Sequence, residues 1–259
     1  MLKNSEKFSP VKYIIEVIIV VVCMLVLWKL IILIWHIPQY LFPGPEVVAR
    51  TFIANYEKLL KNMGITLLEI VVGFSIANIL SILLALYIFT NKKIERYLMP
   101  LAISAKTMPL IAIIPLILIW FGSGISSKII AVILICFFPS LISMIRGIRS
   151  INADTLELFN FYAKNDLQKI RHLVLPFTLP YLFSALKISS SLAVVGALVG
   201  ELIAANKGLG FVILTSYYRF DIAMVFVVVI ITCLIGIVFY YSIQYFEHKL
   251  VFWTDPVDD

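Results

Sequence analysis

The chain has 259 residues, 62% hydrophobic and only 14% charged, with a formal net charge of +6 and a mean hydropathy of +1.03. So apolar a composition excludes a soluble globular domain and points to an all-α membrane protein. In such a chain the basic surplus reports orientation first, and no nucleic acid is expected as a partner.

A spanning helix needs about 20 mostly apolar residues. Six runs qualify: 13–36, 65–90, 99–120, 127–145, 178–200 and 222–246. Residues 1–12 read as a cytoplasmic segment, 13–249 as a transmembrane domain in contact with lipid, and 250–259 as a cytoplasmic tail. The basic residues fall in alternate connections: Lys3, Lys7 and Lys12, then Lys92, Lys93 and Arg96, then Arg146, Arg149, Lys164, Lys169 and Arg171. That places both termini and the 146–172 connection in the cytoplasm. The first connection, with Arg50, Lys58 and Lys61, runs against the rule.

The first run is too long for a signal-peptide core and reads as a retained span. Ile37-Pro38 and Phe42-Pro43-Gly44-Pro45 then break the helix at the outer surface. Glu46 to Lys61 predicts an amphipathic helix along that surface, with Val47, Phe52, Tyr56, Leu59 and Leu60 at near-helical spacing. In the second span Gly64, Gly73 and Ser75 are small enough to let a neighbouring backbone approach.

Pro100, Pro109 and Pro115 predict a kinked or broken third span. Lys106 and Thr107 stand just before Pro109, where an ammonium either faces a polar cavity or snorkels to the cytoplasmic side. The fifth span, with Lys187, Ser189, Ser190, Ser191, Gly196 and Gly200, has a small, polar face unsuited to lipid and belongs at the centre of the bundle. Glu201 at its outer end either pairs with Lys207 or Arg219 to shape an outer gate or makes an ordinary interfacial ion pair.

Catalytic chemistry is not legible. Cys23, Cys136 and Cys233 lie in apolar runs and read as small buried hydrophobes. His36, His172 and His248 have no metal-ligand spacing, so neither metal nor cofactor is expected. Gly122 to Lys128 has Ser127 where a phosphate loop needs Gly, and no strand precedes it. No catalytic residue is assigned, and the chain is not expected to be an enzyme or to hydrolyse ATP by itself.

The segment from Arg146 to His172 is a polar island between spans. Asp154 or Thr155 is placed to cap a helix, with Leu156, Phe159, Tyr162 and Ala163 on one face. From pattern alone this is either a docking helix or an interfacial loop helix. Leu167 to Leu175 leads to Pro176 and Pro180, which mark re-entry into the membrane.

These residues resemble the cytoplasmic EAA loop of binding-protein-dependent ABC importer permeases. That signature has a Glu-Ala-Ala triplet, a Gly four residues after it, and an Ile-x-Leu-Pro ending. Here Glu157-Leu158-Phe159 stands for the triplet, Ala163 for the Gly, and Leu173-Val174-Leu175-Pro176 for the ending. With no Gly, the turn falls to Lys164-Asn165-Asp166 through Asn165. Pro43-Gly44-Pro45, Met108-Pro109-Leu110-Ile111-Ala112, Trp120-Phe121-Gly122, Phe137-Phe138-Pro139, Leu179-Pro180-Tyr181, Gly200-Glu201 and Lys207-Gly208-Leu209-Gly210 follow in the order of the nitrate, sulfonate and taurine branch. That branch also includes transporters of vitamin precursors.

The resemblance implies a six-helix, type I, MetI-like permease of a bacterial plasma membrane. It would pair with a second permease copy as a homodimer and work with two separate ATP-binding subunits and an extracytoplasmic solute-binding protein. Leu156, Glu157, Phe159, Tyr162, Ala163 and Pro176 would couple to the ATPase. Lys106, Thr107, Lys187, Ser190, Ser191 and Glu201 are the candidates to line the pathway. The Phe-Pro and Leu-Pro-Tyr variants lean toward a vitamin precursor such as a pyrimidine or flavin, whereas a lining of Lys106 and Lys187 would favour an anion such as a sulfonate, taurine or nitrate. The rival reading is an ion-coupled secondary transporter using Glu16, Glu69 and Lys29.

Overall fold

Lipid offers no hydrogen bonds to the backbone, so a chain this apolar has to satisfy its amides internally. The computed structural model describes residues 10–204 and 206–253, with the side chains of 10–14, 92, 106 and 204 excepted. Among the described residues the regular elements are all helical. They are α1 (Pro10–Trp35), α2 (Pro45–Ala54), α3 (Tyr56–Thr90), α4 (Lys92–Thr107), α5 (Leu110–Phe121), α6 (Ile125–Arg149), α7 (Ala153–Tyr162), α8 (Asp166–Lys169), a π-turn (Ile170–Val174), α9 (Leu175–Ala204), α10 (Leu209–Tyr218) and α11 (Ile222–Leu250). Five helical stretches are long and apolar enough to cross a membrane, and the bent pair α4 and α5 makes a sixth.

One element differs from the sequence expectation, and the break expected in the third span is present. The amphipathic helix expected over 46–61 ends at Ala54. Asn55 leaves the helical region (φ −122°, ψ 16°) and α3 starts at Tyr56, so 56–61 belong to the second span. The third run is bent by 102° between α4 and α5. Pro109 removes an amide donor and pushes Met108 out of the helical region, to ψ 130°.

Helix α6 is the axis of the bundle, and glycines set how closely its neighbours approach. A Cβ on Gly73 of α3 would lie 2.6 Å from Val132 Cβ, and one on Gly196 of α9 would lie 3.2 Å from Val132 Cα. Both neighbours therefore meet α6 backbone to backbone at Val132. Gly64 has open space where a Cβ would be, and Ser75 is exposed. About two turns further along α6, Ser140 donates to Asn78 Oδ1 of α3 at 2.5 Å and lies 3.3 Å from Ser189 Oγ of α9. Buried hydroxyl and amide groups thus join the three central helices where an apolar core offers no other partner.

The stretch 15–35 of α1 has no buried residue in its apolar window. It touches the remainder through Trp28, which stacks on Phe226 of α11 at 5.6 Å, and through an ion pair between Lys29 and Glu46. At the other end of the bundle, α8, the π-turn and α9 form one continuous helical rod. In a regular α-helix the Pro176 ring would strike the carbonyl of His172. The wider turn avoids this, with the Leu175 amide donating five residues back to Ile170 O.

Candidate functional site

The segment between α6 and α9 is capped at both of its short helices. Asn152 Oδ1 accepts from the Thr155 amide at 2.9 Å, so Asn152 caps α7 and neither Asp154 nor Thr155 does. The helix closes at Tyr162, and Ala163 is extended at φ −81°, ψ 127°. No left-handed residue is required there, which explains how Ala replaces Gly. The chain bends at Lys164 and Asn165, where the turn was expected; the Asn165 side chain accepts from the Gln168 amide at 2.9 Å and opens α8, while Gln168 Oε1 accepts from the Lys164 amide at 3.0 Å.

The face that α7 offers to solvent is rotated from the expected ridge. Glu157 and Tyr162 are exposed, whereas Leu156 and Phe159 are half-buried. Leu158 and Phe161 complete the outward surface, with Phe161 81% exposed, and Leu167 of α8 is exposed beside them in sequence. Leu158 and Phe161 were missed because the first and last turns of a ten-residue helix do not settle which way it is rolled. Pro176 is half-buried in the first turn of α9.

The amino-terminal ends of α3 and α6 and the carboxyl-terminal end of α9 enclose a buried polar cluster around Glu201, which has no exposed surface. Its Oε1 accepts from Thr66 Oγ1 at 2.8 Å and its Oε2 from the Gly210 amide at 2.6 Å. Thr66 Oγ1 accepts from the Leu209 amide at 2.9 Å, and Asn62 Oδ1 accepts from the Gly208 amide at 2.8 Å. Three consecutive amides at the start of α10 thus cradle the carboxylate and its two helpers on α3. Gly208 sits at φ +104°, and a Cβ there would lie 2.0 Å from Glu201 Oε1, so only glycine fits. Lys207 and Arg219, the partners expected from sequence, are both exposed.

Lys128, also buried, donates to the carbonyls of Ser123 and Gly124 and lies within electrostatic reach of Glu69 and Glu201. Gly200 leaves room for its stem, since a Cβ there would sit 3.2 Å from Lys128 Cγ. Glu69 of α3 is 2% exposed beside Glu201, with no hydrogen-bond partner for Oε2. In the sequence Lys128 stood out only as the end of the Gly122 to Lys128 stretch. A carboxylate inside a span requires a partner, and that rule applied to Glu69 was the available signal.

The remaining pathway candidates are scattered. Lys187 Nζ reaches Glu247 Oε2 of α11 at 3.1 Å. Ser190 is buried and donates to Lys187 O at 2.7 Å, while Ser191 is exposed. Thr107 is exposed at the α4 and α5 break, and the Lys106 side chain lies outside the described residues. Glu16 is exposed on α1. Of the cysteines only Cys136 is buried; Cys23 and Cys233 are exposed, because the apolar runs that carry them turn those faces outward. Among the described residues no group of His, Cys, Asp or Glu is placed to hold a metal ion.

Residues 77–252 match the family described as binding-protein-dependent transport system inner membrane component. The chain belongs to that family. It is similar to the formylaminopyrimidine transport permease protein ThiX of Halalkalibacterium halodurans, 34% identical over 86% of this chain and 92% of that one. It is also similar to the riboflavin transport system permease protein RibX of Chloroflexus aurantiacus, 31% identical over 89% of this chain and 87% of that one. A probable ABC transporter permease protein of Haemophilus influenzae is 29% identical over 92% and 96% of the two chains. Among solved structures, a chain of the inward-facing MetNI methionine ABC transporter superposes with a TM-score of 0.58 at 20% identity, covering 76% of this chain and 94% of that one. That likeness shows the fold. The chain is an ABC importer permease subunit of type I architecture, a multi-pass protein of the bacterial plasma membrane, and its relatives are transport permeases.

Proposed function

We propose that two copies of this permease form a solute pathway, driven by two separate ATP-binding subunits and loaded by an extracytoplasmic solute-binding protein. The observation that carries the reading is the outward surface of Glu157, Leu158, Phe161 and Tyr162, joined through α8 and the π-turn to the central helix α9. Exposed aromatics on a rigid, capped helix are suited to fill a groove on a partner. Closure of the ATPase pair on ATP would move α7 as a lever and bias the bundle between inward-open and outward-open states. The energy is the partner's differential affinity for ATP in the two states.

The solute is a small organic molecule. The relatives named for formylaminopyrimidine and riboflavin favour a vitamin precursor, and a putative aliphatic sulfonates transport permease of Bacillus subtilis, 26% identical, represents the anionic alternative. The test is co-purification of the ATPase with the intact permease, expected to be lost on Glu157→Lys or Phe161→Asp. Uptake into vesicles driven by a proton gradient without any ATPase would instead establish the ion-coupled reading.

A further inference from the structure

Helix α9 is enclosed on most of its circumference, yet one stripe is open. Phe177, Tyr181, Ser184, Ile188, Ser191 and Val195 are all exposed. Their spacing alternates between four and three residues, which keeps them on a single face. The stripe is about 27 Å long at 1.5 Å per residue, close to the roughly 30 Å thickness of a bilayer core. The opposite face, with Thr178, Ala185, Ser189 and Ala193, is buried.

Lipid is a poor occupant for this face. Over its middle turns α11 opens Val229, Ile230, Cys233, Leu234, Ile237 and Val238, with no hydroxyl among them, and its exposed Tyr241 and Tyr245 come only towards its carboxyl-terminal end. The α9 stripe instead interleaves two hydroxyls and a phenol with its apolar residues. At its inner end it opens on a cavity of about 680 Å³ that Phe177, Tyr181 and Ser184 share with Trp253. That volume is in the range of sites for small organic ligands.

The stripe also carries no charge. The cation nearest to it in sequence, Lys187, reaches across to Glu247 of α11. An anion moving along such a wall would lose water without a compensating charge. An uncharged planar solute exchanges water for the Tyr181 and Phe177 rings and for the serine oxygens. Ser184 Oγ donates to Pro180 O at 3.0 Å and keeps its lone pairs free to accept.

We infer that the solute path runs along the Phe177 to Val195 stripe of α9 and that this wall selects an uncharged, planar organic solute over a small anion. The inference rests on the permease reading above and goes beyond it by naming the wall and the charge class.

The experiment uses the assembled transporter carrying Cys23→Ser and Cys233→Ser, with single cysteines at Ser184, Ser191, Leu234 or Val238. The probes are methanethiosulfonates of equal size, one anionic, one cationic and one neutral. Positions 184 and 191 are expected to react with the charged probes at least about tenfold faster than 234 and 238, because carrying a charge into lipid is costly. Relative to free cysteine, the anionic probe is expected to gain nothing over the neutral one at 191. Equal reaction at all four positions, or a spontaneous disulfide between the two copies at 191 in every nucleotide state, overturns the path. A strong enhancement of the anionic probe at 191 overturns the charge class. ATP-dependent uptake by the same preparation is scored separately, so either failure is distinguishable from failure of the permease reading itself.

Discussion

Glu201 Oε2 lies 2.6 Å from the backbone nitrogen of Gly210, so the carboxylate at the end of α9 holds the beginning of α10 directly. Its other oxygen is held by Thr66 of α3 at 2.8 Å. Removing Glu201 leaves the Gly210 amide and the Thr66 hydroxyl without their acceptor and takes a negative charge from beside the buried Lys128. Glu201→Ala is therefore expected to destabilise the permease by about 3–5 kcal/mol, and Glu201→Gln, which keeps a carbonyl acceptor, by less. Thermal unfolding in detergent checks this, and equal midpoints for wild type and Glu201→Ala would sink it.

Gly208→Ala meets two obstacles at once, a left-handed φ of +104° and a Cβ 2.0 Å from Glu201 Oε1. The expected result is a lower unfolding midpoint, with part of the loss recovered in the Gly208→Ala/Glu201→Ala double variant because the clash disappears. Strict additivity of the two changes would rule out direct contact as the cause.

The Lys187 and Glu247 pair joins α9 to α11 with both side chains mostly covered, at 14% and 19% exposure. Lys187→Met and Glu247→Gln should each destabilise, and the double variant should be less damaged than the sum, with a coupling of about 0.5–3 kcal/mol. A double-mutant cycle by chemical denaturation gives that number. A coupling of zero would mean that this contact does not hold α9 against α11.

Phe161 and Phe159 lie two residues apart on α7 but differ in exposure. Phe161→Ala is expected to weaken ATPase binding by about 2 kcal/mol, roughly 30-fold, with the unfolding midpoint unchanged. Phe159→Ala should lower the midpoint as well, because its ring is partly packed. Titration of the purified ATPase against each variant, beside a thermal melt, separates the two.

The hydrogen bond from the Lys29 ammonium holds the Glu46 carboxyl below the usual carboxylate range, assisted by a backbone hydrogen bond. A depressed folded-state value means that the link stabilises fully above the ordinary carboxylate range and is lost as pH falls through the folded value. Trp28 stacks on Phe226 one residue before Lys29, so acidification should loosen α1 and shift the emission of a variant in which Trp28 is the only tryptophan. Glu46→Gln should already show the shifted emission at neutral pH, and a Trp28 signal identical in the two proteins would exclude the tether.

Much of this was legible in one dimension. Apolar runs of membrane length, prolines at the third-span break and the Glu157 to Pro176 pattern identify a six-span permease, because membrane thickness, the missing proline amide and helical periodicity are properties of consecutive residues. The roll of a helix about its axis and the pairing of distant charges are not. Glu69, Lys128 and Glu201 stand on α3, α6 and α9, and Lys187 and Glu247 on α9 and α11, so only packing could bring them together. The same limit applied at α7, where roll placed Phe161 outside and Phe159 partly inside, and on α9, where it opened Ser191 and buried Ser190. Composition and local pattern determined that this chain spans a membrane and where its apolar spans fall; the tertiary structure alone decided which charges neutralise one another, since that depends on contacts between helices that no single helix encodes.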